Sequence, residues 1–110
     1  MDNKYKKKES GPSGGMMTAL TIYSYLTNTD LTNGKKIVGT GTIDKEGNVG
    51  PIGGVKYKLI GAVKNKADIF LVPNGDNYEE AIKIKKEKNY DIKIIGISTL
   101  KQAINELEKN

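Results

Sequence analysis

Apolar residues recur at helical spacing in four stretches of this chain, and short apolar runs fill the gaps between them. Met16, Leu20, Tyr23 and Thr27, widened by Met17, Ala19 and Ile22, predict a helix over residues 15–28. A polar loop follows, and residues 37–43 read as a glycine-containing strand. The stretch DKEGN is a turn signal, in which Gly47 and Asn48 can take positive φ. VGPIGG is a short extended piece broken by Pro51 and by Gly53 and Gly54. Val55, Leu59, Ala62 and Val63 then give an i, i+4, i+7, i+8 face and a helix over 55–66.

The back half alternates regularly. Residues 69–72 form a short apolar run that reads as a buried strand, NGDN is a turn, and 78–88 is a helix. Residues 92–97 are another strand, Ser98 has the character of an N-cap, and Leu100, Ile104 and Leu107 carry a last helix. Strands alternating with helices predict parallel pairing through right-handed crossovers. The expected class is therefore α/β (α+β), with helices packed on a small mixed or parallel sheet. Residues 1–10 (MDNKYKKKES) read as a flexible basic arm, and residues 11–110 as one domain.

Composition narrows the chemistry. The chain has 110 residues, with no cysteine and no histidine. Disulfides and thiolate nucleophiles are excluded, as are the usual general base and the commonest metal ligand. Any acid–base chemistry falls to Lys, Asp, Glu, Tyr or an amine terminus. The net charge is +5, but basic residues are interspersed with acidic ones and aromatics make up only 6%. That pattern favours solubility over nucleic-acid recognition, which gathers basic residues on one face. No run of about 18 apolar residues occurs, so no membrane segment is expected in this chain. No Gly-Lys-Ser/Thr loop is present, so neither ATP binding nor another cofactor is expected.

Two segments carry candidate chemistry. In GPSGG, residues 11–15, Ser13 can be a turn residue at a helix start or an exposed nucleophile. Pro12 stiffens the approach, and Gly14 and Gly15 let a substrate carbonyl come close to the backbone. The helix N-terminus beyond them offers free N–H groups for an oxyanion. Such a serine needs a base, and without histidine a neutral lysine is the candidate. That lysine has to shed its proton near neutral pH, which desolvation and a helix N-terminus both favour. In GPIGGVKYK, Lys56 and Lys58 both lie near the start of the second helix, flanking its apolar stripe on opposite sides. Periodicity does not choose between them, and both also read as ordinary solvated lysines.

Taken together, GPSGG, the intervening GTGTIDKEGNVGPIGG and the lysines behind it resemble the Lon protease proteolytic domain. The resemblance is closest to the Lon-like proteases of Gram-positive bacteria that carry a PDZ domain, and it covers residues 10–108. The resemblance implies a serine endopeptidase with a Ser-Lys dyad: Ser13 as nucleophile and Lys58, four residues after the second glycine, as base. Thr40 matches a threonine that hydrogen-bonds the lysine, and the loop of Gly11, Pro12, Gly14 and Gly15 would contribute to the oxyanion hole. Two positions after Thr40, where the Lon pattern has an acidic residue, stands Thr42. Family domains also have a β-rich segment before the serine loop, and the resemblance implies that this N-terminal part is missing here. An incomplete, non-catalytic domain that binds peptides or partner proteins is the alternative. The expected partners are protein or peptide substrates and further copies of the chain, hexameric rings being common in relatives. A Lon-like protein would be cytoplasmic, whereas a piece of a PDZ-type relative would be extracytoplasmic and membrane-anchored.

Overall fold

The structure is a computed structural model and describes residues 12–110. A 3-10 turn at Pro12–Gly14 leads directly into helix α1, Gly15–Thr27. Strands β1 (Ile37–Gly39), β2 (Thr42–Ile43) and β3 (Val49–Gly50) follow, then helix α2, Val55–Lys64. The chain closes with β4 (Ile69–Pro73), α3 (Asp76–Lys88), β5 (Lys93–Ile97) and α4 (Leu100–Lys109). The expectation for residues 1–10, and any role for Gly11, lie outside the described residues.

The main sheet has the order β1-β4-β5, and both pairings are parallel, as the alternation of helices and strands implied. Ile37 aligns with Ile69 and Gly39 with Leu71 on one side of β4, and Phe70 aligns with Ile94 on the other. β4 is the central strand, and all five of its residues are buried. A strand covered on both faces reads as a continuous apolar run, and this one does. Its alternating side chains seed two cores. Ile69 and Leu71, with Ile95 and Ile97 of β5, pack against Met16 and Leu20 of α1 and Ala103 and Leu107 of α4. Phe70 and Val72 face the other way, with Ile94, and pack against Val55, Leu59 and Ala62 of α2 and Ala81 and Ile84 of α3. The result is a three-layer sandwich with two helices on each face.

Three details depart from the sequence expectation. The strand expected over 37–43 splits in two. The Thr40 N–H still donates to the Leu71 carbonyl at 3.0 Å, but the next N–H, of Gly41, turns away to the Ser13 carbonyl. From there the chain joins a separate antiparallel pair, β2 with β3. Helix α3 begins two residues early, at Asp76, because Gly75 (φ 91°) makes the entry turn and Asp76 and Glu79 in the first turn suit the helix dipole. The cap of α4 is Thr99, not Ser98: the Thr99 hydroxyl accepts from the Gln102 N–H at 3.0 Å. Ser98 instead gives its N–H to the Gln102 side chain, and its hydroxyl accepts from Asn74.

Candidate active site

The serine loop is fastened to the sheet through its backbone. Ser13, half-buried in the 3-10 turn, offers its carbonyl oxygen to two donors, the Gly41 N–H at 2.8 Å and the Thr40 hydroxyl at 3.3 Å. The Met16 N–H returns a bond to the Gly41 carbonyl at 2.9 Å. One of the amides at the start of α1 is therefore committed to the Gly41 carbonyl and is not open to an oxyanion. Close approach is possible because side chains are lacking where the segments cross. A Cβ on Gly15 would lie 2.9 Å from Ile43 Cγ2, and one on Gly41 would lie 2.9 Å from Val49 Cγ1. Gly15 of the serine loop thus serves packing here. Gly14 is buried at the N-cap of α1.

Helix α2 brings the lysine. Gly54, the residue before it, has φ 71°, a conformation that favours glycine and starts the helix sharply after Pro51 and Ile52. Lys58, Gly61, Ala62 and Asn65 then repeat at i, i+3, i+4 and i+7 and line one side of a cavity of about 200 Å³. Ser13, Thr40, Val38 and Gly39 form the facing wall, with Phe70 also lining it. The structure thereby separates the two lysines that periodicity left equivalent. Lys58 is half-buried on the cavity wall with Ser13 and Thr40. Lys56 is exposed outside that lining, its Nζ 6.0 Å from the ring centroid of the exposed Tyr57. The lining carries no carboxylate.

Thr40 is buried, at 3% exposure, and its hydroxyl bonds the Ser13 carbonyl rather than Lys58. Among the described residues no hydrogen bond joins Ser13 to Lys58. Thr42, in β2, pairs with Gly50 and lies outside the cavity lining. Among the described residues no cluster of three or more His, Cys, Asp or Glu side chains is placed to hold a metal ion. No helix among them is long and apolar enough to cross a membrane.

One supporting residue has no signal in the sequence. Asn77, 8% exposed in the first turn of α3, accepts from the Ile52 N–H at 2.9 Å and donates to the Ile52 carbonyl at 3.0 Å. Both bonds pin the Pro-Ile-Gly-Gly loop from which α2, and so Lys58, departs. An asparagine within NGDN reads as a turn residue, and only the fold shows what it holds.

The segments that meet at this cavity are shared with known proteins. The chain matches the Lon protease (S16) C-terminal proteolytic domain over residues 6–109. It is 36% identical over 96 residues to a Lon protease of Campylobacter concisus, covering 87% of this chain and 12% of that protein. It is 34% identical over 97 residues to a Lon protease of Campylobacter jejuni, covering 87% and 12%. With a Lon protease of Clostridium beijerinckii the identity is 31% over 98 residues, covering 89% and 12%. The chain thus spans about an eighth of the length of these relatives. A match running through nearly every residue of the fold, the serine loop and the lysine helix included, places this chain in the Lon protease (S16) C-terminal proteolytic domain family.

Proposed function

We propose that this chain carries the catalytic centre of a Lon-type serine endopeptidase acting on protein substrates, with Ser13 as nucleophile and Lys58 as general base. The observation that carries the reading is that the two side chains line the same small cavity, one delivered by the serine turn and the other by α2. Ser13 Oγ attacks the substrate carbonyl carbon as its proton passes to the neutral Lys58 amine, and the carbonyl electron pair moves onto oxygen. Collapse of that oxyanion expels the amine leaving group, which takes the proton back from Lys58. Water, deprotonated in turn by Lys58, then cleaves the acyl-serine ester and restores the hydroxyl. The proposed steps use the side chains of this chain and water. The protein would work as a homo-oligomer, as the resemblance to ring-forming relatives implies.

A second reading is a domain that binds extended peptides without cutting them. It draws on the outer edge of β1, which pairs with no strand among the described residues. The test is cleavage of casein, an unstructured protein, by wild type, Ser13→Ala, Lys58→Ala and the control Lys56→Ala. General-base removal costs about 10²–10⁴ in rate, so loss is expected for Ser13→Ala and Lys58→Ala and near-wild-type activity for Lys56→Ala. Equal activity in all four overturns the dyad. Binding without cleavage, and with no covalent adduct on Ser13, supports the second reading.

A further inference from the structure

Two asparagine–glycine pairs occur in the chain, Asn33-Gly34 and Asn74-Gly75. Asparagine is thermolabile, and most so before glycine. The backbone nitrogen of the following residue can attack the side-chain amide carbon, and glycine has no Cβ to obstruct that approach. We propose that Asn33 is a self-modification site of the folded protein, converted to aspartate and isoaspartate, and that the fold withholds Asn74 from the same reaction. The inference stands apart from the reading of Ser13 and Lys58. In the first step the Gly34 nitrogen gives its proton to hydroxide and bonds to Asn33 Cγ, and the side-chain nitrogen leaves as ammonia. The product is a five-membered succinimide. Water then opens the ring at either carbonyl, giving aspartate at one and isoaspartate at the other. One water is consumed and one ammonia released.

Exposure does not separate the two sites, since Asn33 and Asn74 are both exposed. What separates them is how the attacked amide is held. Around Asn33 the chain makes a turn closed by the Lys35 N–H on the Thr32 carbonyl at 2.9 Å. Asn33 has φ 52° and Gly34 φ 79°, and positive φ at both central residues is what a type I′ turn asks of an Asn-Gly pair. The Gly34 N–H is tethered through the Thr32 hydroxyl oxygen at 3.3 Å, a long bond. Among the described residues the Asn33 side chain takes part in no hydrogen bond. All four turn residues are exposed, and a turn of that kind opens at little cost. Asn74, by contrast, is fastened from several sides. Its side-chain amide donates to Ser98 Oγ at 2.7 Å, and its N–H donates to the Ile97 carbonyl at 3.0 Å. Its amide oxygen lies over Gly96, where a Cβ would collide with it. The next residue, Gly75, is committed to α3, its carbonyl accepting from the Glu79 N–H at 3.0 Å. Reaction at Asn33 places a negative charge beside Lys35 and Lys36, and isoaspartate adds a methylene to the backbone. The change falls between α1, which begins at the serine turn, and β1, which walls the cavity.

The test follows both sites by peptide mapping and mass spectrometry while the full chain is held at mildly alkaline pH. In the folded chain Asn33 is expected to convert at least about tenfold faster than Asn74, the scale of one hydrogen bond that has to break before attack. In urea, where neither site is held, the two rates should converge. Ser98→Ala removes the acceptor of the Asn74 amide and should speed conversion at Asn74 while leaving Asn33 unchanged. Equal rates in the folded chain, or a faster Asn74, overturn the proposal. A rate ratio that urea leaves unchanged also overturns it, because local sequence and not the fold would then set the difference. So does an Asn33 that reacts in urea but stays intact in the folded chain. A folded Ser98→Ala whose Asn74 reacts at the wild-type rate overturns the account of how Asn74 is withheld. The comparison of folded and urea-unfolded wild type needs no variant, so it decides the proposal even if Ser98→Ala fails to fold.

Discussion

The backbone N–H of Gly41 donates to the carbonyl oxygen of Ser13 at 2.8 Å, and this bond is where the end of β1 meets the serine turn. It forms at the point where the chain leaves its pairing with β4, one residue after Thr40 makes the last bond to Leu71. The crossing tolerates no side chain. A Cβ on Gly41 would sit 2.9 Å from Val49 Cγ1 and 3.5 Å from Met16 Cβ. Valine is stiff about χ1, so it cannot simply swing aside. Gly41→Ala is therefore expected to cost about 1–3 kcal/mol, the usual range for overpacking, read as a lower urea midpoint at an unchanged slope. It should also lower the labelling rate of Ser13 by a fluorophosphonate, because the strain is applied where the serine carbonyl is held. A midpoint equal to wild type would show that the crossing has slack.

Asn77 offers a second, independent lever on the site. It sits on α3, away from the cavity lining, and reaches the lysine only through the Ile52 backbone. Asn77→Ala leaves the Ile52 N–H and carbonyl without those partners. Ile52 is only half-buried, so water recovers part of the loss and the expected destabilisation is about 2 kcal/mol. Asn77→Asp keeps the acceptor for the Ile52 N–H but loses the donor to the carbonyl, and should fall between. Denaturant unfolding of the three proteins checks the order. An alanine variant as stable as wild type would show that the loop is held by other contacts.

What could be read from the sequence was what local periodicity controls. The four helices and the central strand were legible because Met16 and Leu20, or Val55, Leu59 and Ala62, repeat at one spacing, and because Ile69, Phe70, Leu71 and Val72 form an unbroken apolar run. The strand over 37–43 was misread because GTGT alternates as a strand would, while the break after Gly39 depends on Ser13, a residue 27 positions away from Thr40. The choice between Lys56 and Lys58 was not legible from the helix alone, which puts them on opposite flanks of its apolar stripe. It needed either the family pattern or the position of β1 across the cavity. Asn77 was invisible for the same reason as the break, since its partner lies 25 residues away.

The end of α2 carries a local conflict that can be relieved. Lys66 has φ 61°, the left-handed region that costs a residue with a Cβ about 1 kcal/mol or more. The reason is the helix stop. The Lys66 N–H bonds the Val63 carbonyl at 2.9 Å and the Ala67 N–H bonds the Ala62 carbonyl at 3.0 Å, the paired bonds of a Schellman motif. That motif favours glycine at the left-handed position. Lys66→Gly should stabilise the chain by about 0.5–1 kcal/mol, net of the extra entropy glycine brings to the unfolded state. Lys66 is exposed, so no packing is lost. A thermal or urea midpoint below that of wild type would mean that the lysine side chain supports the helix end in some other way.

The turn between β2 and β3 should respond to acid through Asp44. Its carboxylate accepts from the backbone N–H of Asn48 at 2.8 Å, the Asn48 side-chain amide at 3.1 Å and the Glu46 N–H at 2.9 Å. These bonds, that of the Asn48 N–H first among them, hold the Asp44 carboxyl below its ordinary value. The folded value is thus lower than the unfolded one, so the unfolded chain binds the proton more readily. The stabilisation is fully present above the ordinary carboxylate value of about 3.9 and is lost as pH falls through the lower folded value. The group is exposed, so the effect is local, and hydrogen exchange is the measurement that suits it. In wild type the Asn48 and Glu46 amides should lose protection as pH is lowered from about 5 toward 2, after correction for the intrinsic exchange rate. Asp44→Asn, which carries no titrating group, should show weaker protection at the upper end and no such step. An equal step in both proteins would assign the acid response to another carboxylate of the chain.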